Sequence, residues 1–380
     1  MNALTTLLIV GLISCLGTST SLAQNVTIPD STFKAYLIGN VFINTNGDTA
    51  IQVSEATAYG GTINCFNQNI TDLTGIEAFV NLTSLSCRSN QLTSLDVRQN
   101  TSLTTLYCSS NQLNNLDLSQ NVNLTTVWCY SNQLSSLNLP PSASLTNLIC
   151  YSNQLSSLDV SQNRGLTFLD GGSNQLASLD VSQNTNLTAL RCGSNQLSSL
   201  DISQNTSLTA LYCNSNPLGS LELRQNTNLT VLDCNSNQLN SLNVKNGNNS
   251  NFTLFNARNN LSLTCIEVDD STYSATNWTQ VDVVANFSTN CSMFNNIQTI
   301  NKAINLSAYP NPTTASITLD FGKCYQEVTI QIYNVIGELV MNQSLENSSS
   351  SRLELRGVAG MYFLTIQTEE GRKTFQVIKE

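Results

Sequence analysis

From Leu82 to Asn249 one 21-residue phrase recurs eight times without insertion or deletion, opened in turn by Leu82, Leu103, Leu124, Leu145, Leu166, Leu187, Leu208 and Leu229. Its consensus reads LTxLxCxSNQLxSLDVSQNTx. A strict period of this length requires stacked units, each too small to bury its own apolar face, that share a core only through their neighbours. Within Leu103 to Val122 the apolar residues sit two to five apart, which suits short extended pieces joined by bends better than a long helix or strand. Leu106-Tyr107-Cys108 alternates as a strand does, and Leu116-Asp117-Leu118 repeats that alternation half a turn later. Two brief strands per coil are therefore expected.

The invariant column Asn90, Asn111, Asn132, Asn153, Asn174, Asn195, Asn216 and Asn237 needs a structural reason, because an unpaired amide facing a core is costly. Stacked at one bend, these side chains are expected to satisfy backbone N–H and C=O groups that a coil cannot pair locally. A second column, Asn100, Asn121, Asn163, Asn184, Asn205 and Asn226, is expected to do the same at the opposite bend.

Leu103-x-x-Leu106-x-Cys108-x-x-Asn111-x-Leu113 resembles the signature of the leucine-rich repeat family, in the irregular 21-residue bacterial form whose second half resembles LDLSxN. The resemblance covers roughly residues 62–263. It implies a mainly β solenoid with a continuous parallel sheet, used for binding rather than chemistry.

With 15 basic and 25 acidic residues and no histidine, the net charge of −10 argues against a nucleic-acid partner. Ala3 to Leu16 is apolar but short for a membrane span, and Ser21-Leu22-Ala23 supplies small residues for cleavage, so residues 1–23 read as a signal peptide. Leu12-Ile13-Ser14-Cys15 also resembles a lipobox, which would acylate Cys15. No later segment has the length and apolarity of a membrane span, and a secreted or outer-surface location is expected.

Most of the twelve cysteines fall in one inward slot: Cys65, Cys87, Cys108, Cys129, Cys150, Cys192, Cys213 and Cys234, with Gly171 replacing cysteine once. Stacked strands place neighbours about 4.8 Å apart with parallel Cβ vectors, whereas a disulfide needs converging Cβ atoms about 3.8 Å apart. Buried free thiols acting as small hydrophobes are expected. Cys265 and Cys291 lie outside the repeats, with Trp278 and Phe287 between them, and are expected to bridge a cap over residues 264–292. Closing that loop contributes roughly 3 kcal/mol.

Ahead of the repeats, residues 24–61 read as an N-terminal cap with a short helix beginning near Asp30. Asn44 to Glu55 resembles an EF-hand loop, with Asn44, Asn46, Asp48 and Glu55 at the first, third, fifth and twelfth places, so calcium is a candidate ligand. It departs from the pattern in starting with Asn44 and in having Thr49 where glycine is usual. The alternative is a polar turn with no cofactor.

Residues flanking the inward cysteine point outward and form the face on which leucine-rich repeat proteins usually bind. There Tyr107, Trp128, Tyr130, Ile149 and Tyr151 gather over three adjacent coils as a candidate ligand surface for protein or glycan. Cross-strand stacking that only stabilises the sheet is the competing explanation. On the other strand Asp96, Asp117, Asp159, Asp180, Asp201 and Glu222 form an acidic column, interrupted by Asn138, that reads as a solvated face, with weak calcium bridging as the alternative. No constellation suggests an enzyme, because the many Ser and Asp belong to repeat columns rather than to one converging site.

After a polar linker at 293–305 the pattern changes to strands about ten residues apart, which predicts a small β-sandwich over 306–380. Tyr309-Pro310-Asn311-Pro312-Thr313, Ile332-Tyr333-Asn334 with Gly337, Gly360-Met361-Tyr362-Phe363-Leu364 and Val377-Ile378-Lys379 resemble the type A sorting domain of the type IX secretion system. That resemblance implies export by the type IX machinery. The expected function is a secreted or cell-surface, adhesin-like binding protein. The alternative is a structural surface component without a specific ligand, and an accessory role beside an enzyme is a weaker third.

Overall fold

The computed structural model describes residues 24–291, 306–368 and 371–380, and the chain divides into two compact units at about residue 290. The signal peptide, the Cys15 lipobox and the linker 293–305 lie outside the described residues.

In the first unit, ten three-residue strands from Thr62–Asn64 to Leu254–Asn256 form one parallel sheet. Its register steps by one repeat, so that Leu106 pairs with Val127 and Val127 with Leu148. The central residue of each strand points inward, and Leu85, Leu106, Leu148 and Leu190 are fully buried. The expected second strand of the coil is laddered in two stretches: Asn115–Asp117 with Ser136–Asn138, and Ser220–Glu222 through Ser241–Asn243 and Cys265–Glu267 to Asn286–Ser288.

The phrase SNQ makes the sharp bend. Its serines, from Ser89 to Ser236, hold φ between 51° and 56°, a left-handed conformation that non-glycine residues seldom adopt. The following asparagine locks it. Asn111 donates from Nδ2 to the carbonyls of Cys87 and Cys108 at 3.0 and 3.1 Å, while its Oδ1 accepts the Leu92 N–H at 3.0 Å. One amide thus joins two coils and offsets the roughly 1–2 kcal/mol cost of a left-handed residue.

The eight slot cysteines are buried and free. Burial pushes the Cys65 and Cys192 thiols up to about 12, so they remain protonated. Gly171 leaves the ladder one rung short.

Both ends of the solenoid are covered. At the front lies α1 (Ser31–Ile38), whose N-cap Asp30 accepts the Thr32 and Phe33 N–H groups at 2.9 Å. A second short helix, α2 (Val53–Ala58), follows the polar loop. At the far end α3 (Ser271–Asn277) leads into Trp278, which stacks on Phe255 at 4.0 Å and touches Phe252 and Phe287. Cys265 and Cys291 are joined in the expected disulfide.

The second unit is one antiparallel sheet built from Ser307–Tyr309, Ser316–Asn334, Leu339–Glu354, Gly360–Thr368 and Gly371–Lys379. Strands expected as separate pairs are continuous here. The register shift between Asp320 and Tyr325, with Gly322 at φ 75°, bends the long strand instead of ending it. Ile317, Leu319 and Phe321 before the bend share a core with Ile330, Ile332 and Leu364 after it, so a single folded sheet performs the role of a sandwich.

A candidate binding face on the ten-stranded sheet

The outward columns of the ten-stranded sheet carry the residues that break the repeat. Tyr107, Trp128, Tyr130, Ile149 and Tyr151 all lie on this face, each half-buried. The cause is mutual covering. Tyr107 and Trp128 lie 4.5 Å apart, centroid to centroid, at a 46° tilt. Tyr130 and Tyr151 stack nearly parallel at 4.7 Å, the stride of the coil.

Two arginines organise the surface, and their roles were not apparent from the sequence columns. The Arg88 guanidinium lies 5.3 Å from the Phe66 ring, 5.6 Å from Tyr107 and 5.8 Å from Trp128. The Arg191 guanidinium lies between Phe168 and Tyr212 at 5.5 and 5.1 Å and stands 3.8 Å from Asp170. Such cation–π contacts fix the cations in place on a wet surface. Outward Phe168 was the available signal, an aromatic residue in a column otherwise held by Ser84, Thr105, Thr126, Asn147, Ala189, Ala210 and Val231.

Asp170 is only 8% exposed. Burial raises its carboxyl above the usual range, against the Gly172 N–H bond at 3.2 Å and the charge of Arg191. Beside it the second outward column runs Tyr130, Tyr151, Gly172, Gly193, Asn214, so the tyrosine ladder stops at two glycines.

The loop proposed for calcium is closed by its own donors. Glu55 Oε1 accepts the Thr45 and Asn46 N–H groups and the Thr45 hydroxyl, and its Oε2 accepts the Gln52 N–H at 3.0 Å. Burial would push Glu55 up, but these donors outweigh it and hold the carboxyl below its usual range. Asp48 accepts from Asn46 Nδ2, Gln52 Nε2 and the Ala50 N–H. Asn44 is buried and donates to the Ile38 and Asp48 carbonyls, leaving its Oδ1 without a partner. Among the described residues no group of three or more His, Cys, Asp or Glu is placed to hold a metal ion.

The acidic column has a local explanation. Asp117, Asp159, Asp180 and Asp201 each accept the N–H of the serine two residues on, at 2.9 to 3.1 Å, and these bonds hold the carboxyls below the usual range. They form Asx turns, which end the strand at Asp117 and bend the extended chain at Asp159, Asp180 and Asp201.

In the C-terminal unit the motif segments meet. Asn311 donates to the Gln376 carbonyl and accepts the Ile378 N–H, and Thr313 exchanges backbone bonds with Ile378 and Glu380. No helix among the described residues is long and apolar enough to cross a membrane.

Residues 307–380 match the family of the secretion system C-terminal sorting domain. No curated protein matches the chain. Among solved structures it is similar to the functional domain of InlJ from Listeria monocytogenes, described as including a cysteine ladder, with 20% identity over 94% of this chain and 100% of that one and a TM-score of 0.39. Internalin C2 of Listeria monocytogenes shares 19% identity over 69% of this chain and 99% of its own, with a TM-score of 0.36. The leucine-rich effector YopM from Yersinia pestis shares 24% identity over 50% of this chain and 63% of its own, with a TM-score of 0.41. The first unit is a parallel β-solenoid with a 21-residue repeat, and residues 307–380 after it match the secretion system C-terminal sorting domain.

Proposed function

We propose that this chain is a secreted or cell-surface binding protein, adhesin-like, that is exported by the type IX system through its sorting domain and holds a protein or glycan ligand on the ten-stranded sheet. The observation that carries the reading is the concentration of non-repeating side chains on one face. Tyr107, Trp128, Tyr130, Ile149 and Tyr151, with Phe66, Tyr212, Arg88 and Arg191, break columns that are otherwise small or polar, while the inward columns barely vary. Large rings and arginines are the side chains that most often carry binding energy. The face works by binding rather than by chemistry, and no cofactor is assigned to it.

Glycan and matrix-protein arrays probed with the purified chain test this reading. Binding is expected, with a loss of at least tenfold in the Trp128→Ala, Tyr130→Ala double variant; arrays without signal, or a variant that binds normally, refute it. Fractionation of the native cells with mass mapping of the mature ends tests export, which predicts a chain beginning near residue 24 at the outer surface or in the medium.

The structural surface-component reading is favoured by one observation. The rings cover one another in pairs at 4.5 and 4.7 Å, as they would if their role were to stabilise the sheet. It predicts high copy number and tolerance of substitution across the outward columns.

A further inference from the structure

Along the second outward column the Tyr130 ring covers one face of Tyr151 at 4.7 Å, and the next residue, Gly172, has no side chain to cover the other. The two glycines that interrupt the ladder differ. A Cβ on Gly193 would stand 2.5 Å from Asn214 Oδ1, so the Asn214 side chain leans over that position. At Gly172 the nearest atoms to a Cβ would be the Gly193 carbonyl oxygen at 3.2 Å and Asp170 Oδ1 at 3.3 Å, both at the floor. The result is a slot one repeat wide. Its first wall is the Tyr151 ring, the Asn214 amide stands opposite, and the Asp170 carboxylate lies at its foot beside Arg191.

Resting on the binding reading above, we propose that this slot takes a single pyranose ring of an exposed glycan, stacked on Tyr151 as the next rung of the ladder. The complementarity is one of faces and rims. A pyranose presents a C–H face that packs on an aromatic ring and a rim of hydroxyls that seek charged and amide partners. The slot offers one apolar wall, and its remaining groups, an Asp170 carboxylate oxygen and the Asn214 side-chain carbonyl, are acceptors for hydroxyl donors. A phenyl ring of a peptide would cover the same wall but leave the Asn214 side-chain carbonyl opposite it without a donor.

The test is saturation-transfer NMR on the purified chain, using the methyl glycosides of glucose, galactose, mannose, N-acetylglucosamine and fucose at about millimolar concentration, the affinity scale of one sugar in one slot. At least one glycoside should receive saturation, strongest on its ring C–H protons. Gly172→Tyr supplies the missing rung from the protein itself and should reduce transfer at least tenfold, as should Tyr151→Ala, while Lys34→Ala, on the exposed side of the cap helix α1, leaves it within twofold. Gly172 does not adopt positive φ and tyrosine occupies the same place at residues 130 and 151, but a Cβ here stands 3.2 Å from the Gly193 carbonyl oxygen and requires a small backbone shift, so circular dichroism checks that the variant folds. If it does not fold, Tyr151→Ala and Asp170→Asn decide. Absence of transfer to every glycoside, or transfer that survives Gly172→Tyr, overturns the slot. Array binding that falls with Trp128→Ala, Tyr130→Ala yet persists in Gly172→Tyr overturns the slot and leaves the wider binding face standing.

Discussion

At the scale of the residue, the two asparagine columns look alike in the sequence and differ in chemistry. The column of Asn111 uses both ends of its amide. The column of Asn205 only donates: Nδ2 reaches the Val181 and Asn184 carbonyls at 3.0 and 2.8 Å, and Oδ1 is buried without a partner, as it is in Asn100, Asn121, Asn184 and Asn226. Recurrence reveals that an amide is needed but not which end of it works, since that depends on whether an N–H or a C=O is left over at the bend. Asn205→Ala therefore removes two buried hydrogen bonds from carbonyls that keep the Asn184 and Leu187 N–H groups as partners, and equilibrium denaturation should show a loss of about 1–2 kcal/mol. Gly171 is the opposite case. It is buried, and a Cβ there would meet Leu158, Leu176 and Cys150 at 3.7 to 4.0 Å, ordinary contact distances. Gly171→Ala should stabilise by about 1 kcal/mol, through the lost freedom of the unfolded chain and one buried methyl, and raise the melting temperature by roughly 2–4 °C. A lower melting temperature would mean that the rung is empty for a reason the packing does not reveal.

At the scale of the element, the Asx turns and the cap loop make opposite uses of spacing. The acidic column was legible as a column, but its cause was not, because the serine two residues on looked like consensus filler until its N–H was seen bonded to the carboxylate. The sign of the pH effect follows. Asp117, Asp159 and Asp201 are held below their ordinary 3.8 by those N–H groups, so their contribution is complete above that value and is lost as pH falls through the lower folded-state value. Asp170 is raised by burial and runs the other way, its penalty relieved by protonation. With Asp30, Glu55, Asp96 and Asp180 also held low, the lowered carboxyls outnumber the raised Asp170, so stability should be flat from pH 7 to about 5 and fall below about 4. Asn243 accepts the Lys245 N–H at 3.0 Å in an equivalent turn. Asp159→Asn with Asp201→Asn should therefore keep the turns and flatten the acid limb, and an unchanged limb would remove these carboxylates as its cause. In the loop from Asn44 to Glu55, EF-hand spacing was legible, yet spacing does not say what the oxygens face. Glu55 is already met by four donors, so its carboxylate is a cap for α2 and for the turn. Calcium at millimolar concentration should leave the melting temperature unchanged, whereas Glu55→Ala should lower it; a calcium-dependent rise would show that the loop opens to take the ion.

At the scale of the whole molecule, a period of 21 residues was enough to read the solenoid, because each inward position recurs and its burial is forced by stacking. The candidate face was legible only as a set of exceptions, since which rings cover one another depends on tilt and on arginines arriving from neighbouring columns. The cysteines join the two readings, because their number suggests cross-links in an exported protein and their register forbids them. Eight thiols stand in the inward slot, all buried and protonated, and Cys265 and Cys291 are tied together. That leaves Cys324, on the exposed side of the bent strand in the sorting unit, as the one exposed free thiol among the described residues. A thiol-reactive probe at pH 8 should therefore label the folded chain at Cys324 and leave the ladder untouched, because both access and thiolate are missing in the core. Unfolding in denaturant without reductant should release the eight slot thiols together, in one cooperative step rather than one by one, if the coils support one another as nearest neighbours. Reduction should then add Cys265 and Cys291 and lower the denaturation midpoint, since the open loop no longer restrains the cap. Labelling of Cys108 or Cys192 at native conditions would show that the stack opens locally, and pairwise cross-links along the ladder would overturn the argument that parallel Cβ vectors keep the thiols apart.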